Sequence, residues 1–174
     1  AHPTQAFLDL LTMLEMGVDF AQAHVAIVGD IMHSRVARSN IYGLTRLGAK
    51  VTLVGPPTLL PAEFTELGVN VEYDFDRVIP AVDVLYMMRV QRERMERAFL
   101  PSVGEYSSLY GLNDARLSNA KRNVLVMHPG PVNRGVELQA SVMDGDRSFI
   151  LEQVSCGVAV RMALLQLCVG GWIT

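Results

Sequence analysis

Five short apolar runs punctuate the chain: Val25-Ala26-Ile27-Val28, Val51-Thr52-Leu53-Val54, Val69-Asn70-Val71-Glu72-Tyr73, Val82-Asp83-Val84-Leu85-Tyr86-Met87 and Val124-Leu125-Val126-Met127. Runs rich in β-branched residues and lacking strict alternation belong to parallel strands covered on both faces. Between the first two, Ser34 to Leu47 has helical periodicity and stops at Gly48, a residue suited to the position after a helix. This is a βαβ unit, with a right-handed crossover expected. A second helix is predicted from Pro61 to Leu67, ending at Gly68, and a long one from about Phe149 to Leu167. At the front, Pro3 and Thr4 lead into Ala6-Phe7-Leu8-Asp9-Leu10-Leu11-Thr12-Met13-Leu14, an amphipathic helix whose first turn tolerates proline. Strands alternating with helices predict an α/β fold: a doubly wound five-stranded parallel sheet with helices on both faces. The expected division is a helix over 1–17, an α/β domain over 18–148 and a returning C-terminal helix over 149–174.

Composition changes this picture little. Half of the 174 residues are hydrophobic and 19% are charged, enough for one well-buried domain. Fifteen basic and 18 acidic residues leave a net charge of −3, which argues against a nucleic-acid partner. The most apolar stretch, Val154 to Ile173, contains Arg161 and Gln166 and reads as a packed helix, so no membrane association is expected. Cys156 and Cys168 fall in that helix and are expected to be buried free thiols. With no signal peptide in the sequence, the expected location is cytoplasmic.

Doubly wound sheets bind ligands beyond the carboxyl ends of their strands, where the strand order reverses. For the order 3-2-1-4-5 that crevice lies between the first and fourth strands. After the first strand comes Gly29-Asp30-Ile31-Met32-His33-Ser34-Arg35-Val36-Ala37-Arg38. It contains neither a dinucleotide fingerprint nor a phosphate loop. Arg35 and Arg38 stand in the first turns of a helix, where the dipole disfavours cations, so they are either solvated, paired with Asp30, or aimed at an anion. After the fourth strand, Arg89 and Gln91 alternate with Val90 and project to one side of extended backbone. Beside Arg35, Arg89 completes a two-arginine clamp suited to a dicarboxylate. After the fifth strand, His128-Pro129-Gly130-Pro131 is a stiff loop whose carbonyls are free to accept, with the Gly130-Pro131 bond open between cis and trans. His33 and His128 lack matched ligand spacing, and no metal site is expected. His2 and Gln5 belong to a helix N-terminus, a place that favours anionic ligands.

Taken together, His2-Pro3-Thr4-Gln5, Gly29-Asp30 with Ser34-Arg35-Val36-Ala37-Arg38-Ser39, Arg89-Val90-Gln91 and His128-Pro129-Gly130-Pro131-Val132-Asn133-Arg134-Gly135 resemble the aspartate carbamoyltransferases. The motifs follow the family's order across almost the whole chain, and Thr4 separates it from the ornithine-specific relatives. The resemblance implies transfer of a carbamoyl group from carbamoyl phosphate to L-aspartate in pyrimidine synthesis, without cofactor or metal. It implies that His2 polarises the carbamoyl oxygen as the catalytic residue. Gln5 and the carbonyls of Gly130 and Pro131 would bind the carbamoyl group, and Arg35, Arg89 and Gln91 would hold aspartate. The family's Ser-Thr-Arg-Thr phosphate loop and its lysine loop are not found here. The chain is therefore expected to be the aspartate-binding portion, inactive alone and completed by an N-terminal carbamoyl phosphate domain. Intact relatives are homotrimers, often joined by regulatory or dihydroorotase-like chains. The competing expectations are a non-catalytic dicarboxylate-binding regulatory module and a carbamoyltransferase for another amino acid.

Overall fold

In the computed structural model, which describes residues 1–90 and 102–170, all five runs form one parallel sheet. Its strands are β1 (His24–Val28), β2 (Lys50–Val54), β3 (Asn70–Glu72), β4 (Val84–Met87) and β5 (Leu125–Met127), in the order β3-β2-β1-β4-β5. Val25 lies opposite Val51 and Val84, and Val28 opposite Val54 and Met87, so the carboxyl ends of the central strands finish level. The last three strands, β3, β4 and β5, are shorter than their apolar runs. At the fourth, the Asp83 carboxylate stops the pattern: it accepts from the His24 backbone at 2.8 Å and from Lys121 at 2.6 Å, closing the start of the sheet.

Helices cover both faces, which is why the strands do not alternate. Val25, Ile27 and Tyr86 pack with Met13 of α1 (Pro3–Glu15) and with Ile41 and Leu44 of α2 (Arg35–Arg46). Ala26, Val28 and Leu85 point the other way, onto Phe75 of α3 (Phe75–Val78) and Tyr106 and Tyr110 of α4 (Val103–Tyr110). Two short helices, α5 (Asp114–Ser118) and α6 (Ala140–Met143), add Leu117 and Val142 to this second layer.

Helix α2 begins where predicted, with Ser34 as N-cap accepting from Ala37 N at 3.0 Å. The predicted helix after Pro61 is instead a 3-10 helix, Ala62–Leu67, ended by Gly68 at φ 76°. Six residues between a proline and a left-handed glycine leave little room for repeating i→i−4 bonds.

The last helix, α7 (Ile150–Val169), differs from expectation in its surroundings. It packs on α1 through Ile150, Gln153 and Gly157. A Cβ on Gly157 would stand 3.2 Å from the Leu8 side chain, so glycine permits the close approach. The remaining sides are open: Leu151, Val154, Val158, Met162 and Leu165 are all exposed. By length and composition α7 is apolar enough to cross a bilayer. Its cysteines are accordingly not buried: Cys156 is half-buried and Cys168 exposed, because only one stripe of the helix meets the domain.

Candidate active site

The strand ends, the start of α1 and the loop after β5 converge on one cavity of about 440 Å³. Its walls include His2, Gln5, Asp30, Arg35, Arg89 and Gly130. A larger cleft of about 610 Å³ lies at the opposite ends of the strands, between Met16, Asp83, Arg122 and Arg147. There Asp83 is already engaged by Lys121, and Arg147 by the Leu117 carbonyl.

His2 is the N-cap of α1, with Pro3 in the first helical position. Its Nδ1 accepts from Gln5 N at 3.3 Å, which leaves the ring proton on Nε2 as a donor. Its backbone N–H donates to Ser39 Oγ at 2.8 Å, docking α1 onto α2 beside the cavity.

Arg35 opens α2 and is exposed, yet it lines the cavity with Asp30 and Arg89. Neither Arg35 nor Arg38 is in an ion pair among the described residues; Asp30 is held by the His33 ring at 3.0 Å and its backbone N at 3.1 Å. The second arginine, Arg89, follows β4, and its Nε is buried without a hydrogen-bond partner. The backbone beside it is fixed. Val90 N donates to Glu137 at 2.6 Å, and Val90 O accepts from Asn133 Nδ2 at 3.0 Å. Glu137 is fully buried and also accepts from Asn133 N, so the loop after β5 brackets the arginine strand. Gln91, the predicted partner of Arg89, lies outside the described residues.

The Gly130-Pro131 peptide is cis, and Gly130 has φ 69°. His128 N donates to Gln153 on α7, while His128 Nδ1 accepts from Gly130 N at 2.9 Å. Burial, with the nearby Arg89 charge adding to it, lowers the His128 pKa to about 4. Pro129 and Gly130 line the cavity; Pro131 is exposed and does not. The geometry thus brings together His2, Gln5, Arg35, Arg89 and Gly130 from four separate motifs.

Sequence reading missed the group beneath these residues. Asp9 is fully buried and accepts hydrogen bonds from Gln5, Asn40, Tyr86 and Gln153. Burial raises its pKa, and the four donors oppose that shift. The available signal was a carboxylate on the face of α1 that also carries Leu8, Thr12 and Met13. Among the described residues no three His, Cys, Asp or Glu side chains cluster as a metal site would require.

Comparison with known proteins adds independent findings. A family model described as aspartate/ornithine carbamoyltransferase, Asp/Orn binding domain, matches residues 21–168. The chain is 55% identical over 166 residues to an aspartate carbamoyltransferase catalytic subunit of Syntrophobacter fumaroxidans, covering 95% of this chain and 54% of that protein. It is 53% identical over 170 residues to the catalytic subunit from Moorella thermoacetica, covering 98% and 55%. Among solved structures, aspartate transcarbamoylase from Trypanosoma cruzi in complex with carbamoyl phosphate superposes with TM-score 0.81 at 32% identity, over 94% of this chain and 55% of that one. An ornithine carbamoyltransferase from Pyrococcus furiosus gives TM-score 0.82 at 26% identity, over 98% and 57%. The chain spans about half the length of the curated relatives it matches.

Proposed function

The chain belongs to the aspartate/ornithine carbamoyltransferase family, and we propose that it is the aspartate-binding half of an aspartate carbamoyltransferase catalytic chain. The complete enzyme transfers the carbamoyl group of carbamoyl phosphate to the amino group of L-aspartate and releases phosphate. The observation that carries this reading is the single cavity shared by two arginines, His2, Gln5 and Gly130.

Each group has a task its chemistry suits. Arg35 and Arg89 take the two aspartate carboxylates, and the unpartnered Nε of Arg89 is a donor waiting for one. Gln91 assists them. With the dianion held, the amino group is directed at the carbamoyl carbon, and most of the acceleration is positioning. As nitrogen attacks, negative charge grows on the carbamoyl oxygen, and His2 Nε2–H stabilises it. The Gln5 side-chain oxygen and the Gly130 carbonyl accept from the carbamoyl NH₂, while Pro131 stands outside the cavity wall and takes no part. The tetrahedral centre then collapses: the carbon–oxygen bond to phosphate breaks, and the leaving phosphate takes up the proton that the attacking nitrogen sheds.

Arg35 and Arg89 are the arginines of the cavity wall, and both are committed to aspartate in this scheme. The phosphate dianion therefore needs cations from a second domain. Exposed Phe7 and Leu14 on α1, with Leu151, Val154 and Val158 on α7, form the apolar surface on which that domain rests. The test is carbamoyl-aspartate formation by this chain alone and by this chain joined to the carbamoyl phosphate domain of a relative. Product is expected only from the joined protein; product from the chain alone refutes the two-half scheme.

A further inference from the structure

Asp9 lies one turn beyond Gln5 on the inner face of α1, and each of its oxygens accepts two hydrogen bonds. Oδ1 accepts the side-chain amides of Gln5 at 3.0 Å and Gln153 at 2.8 Å. Oδ2 accepts Asn40 at 2.8 Å and the Tyr86 hydroxyl at 2.6 Å. Of the first pair Gln5 lines the site and Gln153 reaches the loop after β5, while the second pair ties the carboxylate to α2 and β4. Among the described residues no Lys or Arg contributes to the cluster.

A glutamine amide has a donor end and an acceptor end of nearly the same shape, and its neighbours decide which end points where. Asp9 takes the donor end of Gln5. What remains is the oxygen, which has no partner among the described residues, on a side chain that lines the cavity. Gln153 repeats the pattern one step further: its Nε2 donates to Asp9 and its Oε1 accepts from His128 N, at the root of the loop carrying Gly130. One carboxylate thus sets the polarity of Gln5 and the seat of the Gly130 loop. Asn40 shows how strongly it dictates. Donating Nδ2 to Asp9 leaves Asn40 Oδ1 buried without a partner, and turning the amide over would set oxygen against oxygen.

We propose that Asp9 is a positioning residue that keeps this wall of the cavity acceptor-only and thereby selects acyl phosphates bearing an amino group over those bearing a methyl group. The proposal rests on the carbamoyl-transfer reading and supplies the origin of its selectivity. Carbamoyl phosphate and acetyl phosphate differ at one position, NH₂ against CH₃. Acceptors held towards that position gain hydrogen bonds from the first and lose their hydration to the second, and sites that hydrogen-bond a substrate group reject the analogue lacking it.

The experiment compares full-length wild type, Asp9→Asn and Tyr86→Phe. For each, the KM for carbamoyl phosphate, the Ki of acetyl phosphate as its competitor and the KM for aspartate are measured. In Asp9→Asn the Gln5 amide is free to present its donor end, and the preference for carbamoyl over acetyl phosphate should fall by about tenfold or more. The aspartate KM should stay within about twofold, since Asp9 touches neither arginine of the clamp. Tyr86→Phe removes one anchor without adding a donor and should shift the preference in the same direction by a few-fold. An unchanged preference in Asp9→Asn overturns the proposal, as does equal weakening of both acyl phosphates, which is what a purely structural role predicts. If Asp9→Asn yields no folded protein, Tyr86→Phe decides by the same criteria. A wild type that forms no carbamoyl-aspartate refutes the functional reading itself, and this proposal with it.

Discussion

Arg89 leaves β4 with one guanidinium nitrogen buried and unanswered, while Glu137 and Asn133 hold the next peptide on both sides. A charge so placed is poised for an incoming anion rather than for solvent. His2 is prepared in the complementary sense, since its Nδ1 is spent on the helix N-terminus and its Nε2–H remains. In the complete enzyme, His2→Ala should lower kcat by about 10²–10³, the usual cost of losing one donor to a developing oxyanion. Steady-state kinetics check this, with the aspartate KM expected to change little. His128 makes a different prediction. Its folded pKa of about 4 lies below the unfolded value near 6.5, so the folded state binds its proton less readily. Its contribution is therefore complete above pH 6.5 and is lost as pH falls towards 4. Between pH 7.5 and 5.0 the wild type should lose about 2 kcal/mol more than His128→Gln in urea melts. Equal losses would mean that His128 titrates normally.

At the level of elements, α2 is set by local chemistry and α7 by tertiary context. Ser34→Ala removes the cap on Ala37 N and should cost about 1 kcal/mol in thermal or urea unfolding. Gly55 tests the junction behind the cavity: a Cβ there would stand 2.5 Å from Gly29 O, so Gly55→Ala should cost about 1–3 kcal/mol by pushing the β2 loop into the β1 loop. An unchanged melting temperature would show that the two loops can separate freely. These features explain what was legible in advance. The β1, β2 and β5 runs read clearly because both faces of each strand are buried, and Ser34 and Gly48 bracket α2 by side chain and backbone preference alone. The motifs could be picked out because each is contiguous, and His2, Gln5, Arg35, Arg89 and Gly130 do share one cavity, whereas Pro131 lies outside its wall. Asp9 did not, since its partners lie 4, 31, 77 and 144 positions away and only the fold unites them. Nor did the exposure of α7, because an apolar helix has the same composition whether its cover is this domain or another.

For the whole molecule, the five-stranded sheet carries the candidate site at the carboxyl ends of its strands and an apolar flank on α1 and α7. The flank predicts its own test. Val158→Asp, on an exposed turn of α7, should leave the melting temperature of this chain nearly unchanged while lowering the activity of the complete enzyme. A melt shifted by several degrees would place Val158 in the chain's own core instead. The central claim is that this half binds aspartate through Arg89, and steady-state kinetics of the full-length protein with and without Arg89→Ala address it most directly. The account predicts carbamoyl-aspartate formation by the wild type and an aspartate KM raised about 30-fold or more in the variant, the cost of losing one partner of a buried charge pair. An unchanged aspartate KM, or a wild type that carbamoylates ornithine in place of aspartate, would contradict it.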